Sequence, residues 1–330
     1  QHLNAALHIF EQYDYQREIA IVCSNLGTIY LGKAEYDLAQ AVFLRALDIA
    51  EKIGDLPTIS VAQGNLGLLA ARLGNVVEAE HWYRQALASN EQVNDPFYMS
   101  LFCSYVTTAL IEQGKFDEAK PLLVRALKIS RSQHIDPCTD FALMALGQLH
   151  LARALASSQH SVSTAQQGRV SRVAEHFLSR ARAALTRALA SGGLEADSML
   201  DAQLHLARIA LLLGGPEQAR ELAASALAEA RAGELVWLQA RAQCLLGQVF
   251  TVAGEQSRAE SCFLQALASF ANTNMRLEHA RALQAYSLAL LQGSSAPAAR
   301  QSAHEYLQEA AQVFASCHAA LDLRSVEAAM

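Results

Sequence analysis

The chain has 330 residues, a formal net charge of −6 and a pI near 6.0, so nothing in its overall charge attracts nucleic acid or an anionic membrane. Hydrophobic residues make up 52%, yet no apolar run reaches the ~18 residues of a membrane span. The expectation is therefore a soluble, cytoplasmic protein that contacts neither membrane nor nucleic acid directly.

The first residues, HLNAALHIFEQ from His2, read as the later part of an amphipathic helix whose partner is missing, leaving Leu3, Leu7 and Phe10 bare. A helix pair follows. Cys23, Leu26, Gly27 and Tyr30 share one helical stripe, and Ala39, Phe43, Ala46 and Leu47 share the next. The pair then recurs with a period of 40 residues. AQAVFLRAL from Ala39 is answered by AEHWYRQAL from Ala79 and AKPLLVRAL from Ala119. Twelve residues ahead of these phrases stand Gly27, Gly67 and Thr107.

Later units keep the phase, with Gly147, Ala207, Gly247 and Ser287 at the Gly27 position and Ala181, Ala219, Ala259 and Ala303 at the Ala39 position. Small residues at both positions let paired helix axes approach closely. Gly74, Gly114, Gly214 and Gly254 fall between the helices, where the chain reversal favours positive φ. Asp95-Pro96 and Asp136-Pro137 suit an N-cap followed by proline in the first turn. No sustained alternation supports a strand.

One insertion breaks the array. From Gly147 to Ala181 is 34 residues where 12 are expected, and the excess falls at about 156–177. Its Ser/Gln-rich first half reads as a mobile loop, and its second half extends the next helix backwards. Arg169, Arg172, Arg180, Arg182 and Arg187 there read as a solvated face. The last residues, LDLRSVEAAM, look like the opening of another first helix. Residues 1–330 are thus expected to form a single array with partial repeats at both ends, cut from a larger protein and open to end-to-end self-association.

The pattern Leu26-Gly27-x-x-Tyr30 with Tyr36, Ala39, Phe43 and Ala46-Leu47 resembles the tetratricopeptide repeat. The longer unit is similar to that of LGN/Pins adaptors, kinesin light chain and the sensor domains of MalT-like regulators. The resemblance implies an all-α fold, a right-handed α-solenoid of stacked antiparallel helix pairs with about seven repeats. It also implies a concave groove lined by the first helix of each pair.

Carried over residue by residue, the groove comprises Asn25, Thr28, Asn65, Leu68, Tyr105, Thr108, Met144, Gln148, His205, Arg208, Arg241, Gln248 and Arg281. Asn25 and Asn65 occupy equivalent places, where side-chain amides suit the backbone of an extended ligand. The groove changes from small and apolar early to arginine-bearing late. Arg208, Arg241 and Arg281 are placed to clamp carboxylates, so a ligand with apolar and acidic parts fits. The early units lack the lysines of the carboxylate clamp that binds heat-shock protein tails.

Catalytic signatures are missing. No P-loop, dinucleotide fingerprint, zinc-protease helix or nucleophile elbow occurs. Asp201, His205 and Arg208 share one helix face without a nucleophile, and read as polar groove lining. His150 and His160 lack ligands at metal spacing and read as satisfied or exposed histidines. The six cysteines, with no C-x-x-C pair, read as reduced thiols. The expected function is a non-catalytic scaffold without cofactor or metal that binds a peptide, helix or protein domain. The alternative is a ligand- or partner-sensing regulatory domain of a bacterial NTPase-linked, MalT-like transcription regulator.

Overall fold

A computed structural model of the chain describes residues 2–159, 171–293 and 296–330. Among the described residues there are sixteen helices and no strand. A lone helix, α1 (His2–Gln12), precedes α2 (Gln16–Gly32) and α3 (Tyr36–Ile53), the first antiparallel pair. Next come α4 (Leu56–Leu73) with α5 (Val76–Val93), and α6 (Pro96–Glu112) with α7 (Phe116–Ser132). The fourth pair is α8 (Asp136–Gln159) and α9 (Arg172–Ser191), followed by α10 (Ala196–Leu212) and α11 (Pro216–Ala232). Then follow α12 (Val236–Val252) with α13 (Gln256–Asn272), α14 (Arg276–Gly293) with α15 (Pro297–Ser316), and a short α16 (Ala320–Glu327). Seven pairs stacked in chain order make an α-solenoid. No described helix is long and apolar enough to cross a membrane.

The helices end where one residue turns left-handed. Asp14, Ala34, Gly54, Gly74, Asn94, Gly114 and His134 all have positive φ, at intervals of 20 residues. Each such residue closes a helix and frees the chain to reverse. Asp95 caps α6 as the sequence suggests, its carboxylate accepting from the backbone N–H of Phe97 at 2.8 Å.

Within a pair, the small residue of the first helix is a notch for a large side chain from the second. A Cβ on Gly67, Gly147 or Gly247 would stand 2.5, 2.6 and 2.8 Å from atoms of Tyr83, Leu185 and Phe263. At Gly27 it would fall closer still to the Phe43 ring. Where the notch carries a side chain, its counterpart is smaller than a ring: Thr107 corresponds to Leu123, Ala207 to Ala223 and Ser287 to Leu307, all buried. The two volumes compensate, so spacing between axes is kept along the array.

The helices on either side run into the insertion. Helix α8 continues through Gln159, and α9 begins at Arg172, ahead of the repeat proper. Residues 160–170, with His160 and Arg169, lie outside the described residues. Arg172, Arg180, Arg182 and Arg187 are exposed on α9. Leu3, Leu7 and Phe10 are half-buried rather than bare, Leu7 and Phe10 packing on the first pair's core. All six cysteines are free thiols, four of them buried.

The notch predicts a paired effect. Gly247→Ala should destabilise the chain by ~1–3 kcal/mol through overpacking against Phe263. Adding Phe263→Leu, which mimics the Thr107 and Leu123 pair, should restore part of the loss in a urea midpoint. No loss in the single variant contradicts the notch.

Candidate functional site: a closed inner cavity

The first helices form the inner wall, and the coil curls until its late repeats meet its early ones. The Arg72 guanidinium at the end of α4 lies 3.4 Å from the ring centre of Trp237 at the start of α12. Val76 joins a core cluster with Leu277, Leu307 and Phe314. Arg281 of α14 is hydrogen-bonded to Glu112 at the end of α6, 169 positions away. The same guanidinium reaches Asp322 of α16 at 2.7 Å and Glu278 at 2.7 Å. Gln148 of α8 and His205 of α10 approach at 3.3 Å.

This closure turns the expected open groove into two adjoining cavities. The larger, of about 430 Å³, has an apolar stretch from Leu68, Tyr105, Phe141, Met144, Leu151 and Leu155. The smaller, of about 330 Å³, lies among α10, α12, α14 and α16. His205, Arg208, Arg241, Glu278, Arg281 and Asp322 border both.

The residues expected in the groove divide accordingly. Thr28, Leu68, Tyr105, Thr108, Met144, Gln148, His205, Arg208, Arg241 and Arg281 line the larger cavity. Gln248 lines the smaller. Asn25 and Asn65 line neither; Asn25 is exposed and Asn65 half-buried. The amide ladder drawn from their equivalence is therefore not part of the cavity wall, because the wall turns away from that stripe of α2 and α4.

The arginine clamp also needs correcting. Arg241 is bonded to Asp201 and lies 3.6 Å from Glu278, while Arg281 is held by Glu112, Glu278 and Asp322. Both guanidiniums are spent on the chain's own carboxylates. Burial disfavours the charge on Glu278, but Arg241 and Arg281 outweigh it and hold this carboxyl down to about 2. Arg208 differs: among the described residues it has no carboxylate oxygen within 4.0 Å. Sequence reasoning placed Glu112 on the groove wall without its partner, and it missed Asp322 and Trp237.

The cavity offers little for acid–base chemistry. Burial, helped by Arg241 and Arg208 and opposed by Asp201, lowers His205 to about 4. Burial raises the Cys244 thiol to about 12, far from a reactive thiolate. Among the described residues no three His, Cys, Asp or Glu side chains cluster to hold a metal ion.

His150 is neither satisfied nor exposed, contrary to the sequence reading. It is 5% exposed, stacks on Phe177 at 5.9 Å, and its Nδ1 has no partner among the described residues. Burial, with Arg180, Arg153 and His176 nearby, lowers it to about 4.

Against this geometry, known proteins can be compared. Residues 18–92 match the family model of the tetratricopeptide repeat. Its fold is similar to that of the Rap conjugation gene regulator of the plasmid pLS20, solved in complex with the Phr* peptide. That likeness has a TM-score of 0.65 and 14% identity, over 91% of this chain and 74% of that one. A Rap protein complexed with competence and sporulation factor matches at a TM-score of 0.57 and 15% identity, over 94% and 98%. The apo form of RapI matches at 0.57 and 11% identity, over 89% and 97%. No curated protein matches this chain.

The two low histidines give these repeats a pH dependence. Both rings are neutral in the folded chain, whereas the unfolded chain binds a proton at each below the usual 6.5. Their contribution is therefore complete above about pH 6.5 and is lost as the pH falls towards 4. The thermal midpoint should drop between about pH 7 and 5, and His150→Phe should shrink that drop. An unchanged drop in the variant contradicts this assignment.

Proposed function

We propose that this chain is a non-catalytic binding module that holds a short peptide, or the extended end of a partner protein, inside its coil. The observation that carries the reading is the closed inner wall, with its apolar stretch facing a charged one across about 430 Å³. Ligand cavities commonly span about 300–1,000 Å³ and combine apolar walls with a few placed polar groups. A folded domain or an intact helix about 10 Å thick needs an open trough, which the contacts from Arg72 to Trp237 and from Arg281 to Glu112 close off. Peptide binding therefore suits this coil better than docking of a domain.

The likeness to Rap structures solved with the Phr* peptide and with competence and sporulation factor supports the reading at the level of fold. A non-catalytic role agrees with His205, which meets Gln148, and with Asp201, which is taken by Arg241. Cys244, held protonated by burial, supplies no nucleophile.

The test is retention of a pooled random library of peptides about four to eight residues long, read by mass spectrometry. Thr108→Trp fills the larger cavity from its half-buried wall. It should cut retention about tenfold or more while circular dichroism stays unchanged. Val124→Asp, on the exposed face of α7, should behave as the native chain does. Equal retention by all three proteins, or none by the native chain, overturns the proposal.

A further inference from the structure

The cavity walls carry charges that the chain itself leaves unanswered, and these are separated by sign. Arg208 faces both cavities and, among the described residues, makes no hydrogen bond and no ion pair. Its companions do not share this condition. Arg241 and Arg281 are held by carboxylates, and Arg72 is stacked on Trp237. The smaller cavity is bordered by Arg208, Arg241 and Arg281 against Glu278 and Asp322, so it carries an excess of one positive charge.

At the start of the same helix the sign reverses. Glu195 and Asp197 border the larger cavity, and among the described residues neither has a cation within 4.0 Å. Asp197 accepts only from Ser198, through its N–H at 2.6 Å and its hydroxyl at 3.2 Å. Tyr105 lies close enough to both carboxylates that they add to the effect of burial in raising its phenol. Phe141 and Met144 line the same cavity, and Phe141 meets Tyr105 edge-on at 6.2 Å.

Asp197 and Arg208 stand eleven residues apart on α10, which at a rise of ~1.5 Å per residue is a span of roughly 16 Å. An extended peptide advances ~3.3–3.6 Å per residue, so about five residues bridge it. We propose that the cavity takes a short zwitterionic peptide in one orientation, its terminal carboxylate on Arg208 and its amino end against Glu195 and Asp197. The inference rests on the peptide-binding reading and adds to it the polarity, the end groups and the anchors. A guanidinium in a partly dry wall suits a carboxylate because the two N–H bonds are charge-assisted. An ammonium group lacks that geometry and would be repelled by Arg208. Between the ends, the apolar stretch around Phe141 and Met144 receives an aliphatic or aromatic side chain.

The experiment compares pooled random pentapeptides with free ends against the same pool amidated at the carboxyl end and against the pool acetylated at the amino end. The native chain should retain the free-ended pool about tenfold better than either blocked pool. Arg208→Gln should abolish the distinction between acid and amide and keep that between amine and acetyl. Glu195→Gln with Asp197→Asn should do the reverse. If the native chain retains peptides without regard to their ends, the anchors are wrong while the peptide site stands. Retention of no pool removes the peptide site itself. Loss of the acid preference in Arg72→Gln but not in Arg208→Gln overturns the assignment to Arg208.

Discussion

Arg281 joins three parts of the coil at one point, donating to Glu112 from the third pair, Asp322 from the last helix and Glu278 from its own. A stack of helix pairs has no intrinsic reason to meet itself, since each pair contacts only its neighbours. The meeting is made by this guanidinium, by Arg72 on the face of Trp237, and by Val76 among Leu277 and Phe314. Such charges are costly to bury singly, and an arginine with several carboxylates is the arrangement in which their attraction offsets desolvation. Removing Glu112 or Asp322 alone would leave a partly dry charge short of a partner. The network therefore selects one pitch of the coil rather than adding much to its stability.

That selection decides what the inner wall can do. Carboxylates from the early and late repeats reach inward and consume Arg241 and Arg281, so the wall offers less cationic surface than its arginines suggest. What survives is a cavity with an apolar side and charged ends, with Arg208 at one end and Glu195 and Asp197 at the other. The outer helices, whose rings fill the notches at Gly27, Gly67 and Gly247, hold the wall at constant spacing.

The sequence announces each level of this structure up to the single repeat and then falls silent. The 40-residue period places the helices, and the glycine or alanine between them appears in the structure as a left-handed residue at intervals of 20. The reciprocity of Gly247 with Phe263 and Ala207 with Ala223 was there to be read, because in both units the two positions lie 16 residues apart, as Gly27 and Phe43 do. Part of the ion network was legible too: Glu278 stands three residues before Arg281, and Asp201 shares its repeat position with Arg241. Glu112 with Arg281 was not, since their contact depends on a small rotation per repeat summed over four repeats. The failure of Asn25 and Asn65 to reach the cavity has the same origin: a shift of one position around a helix moves a side chain by about 100°, and the closed pitch sets which stripe faces inward.

Closure of the coil is the claim on which the cavity and the proposed peptide site depend, and one covalent trap tests it. A Cβ built on Gly114, at the end of the third pair's first helix, stands 3.7 Å from Cβ of Ala320 on α16. Disulfide-bonded residues have Cβ atoms about 3.5–4.5 Å apart. Under mild oxidation, Gly114→Cys with Ala320→Cys should form an intramolecular disulfide, mapped by peptide mass, in most of the molecules. If both introduced thiols instead stay free and alkylate readily in the folded protein, the early and late repeats do not meet and the inner wall is an open trough.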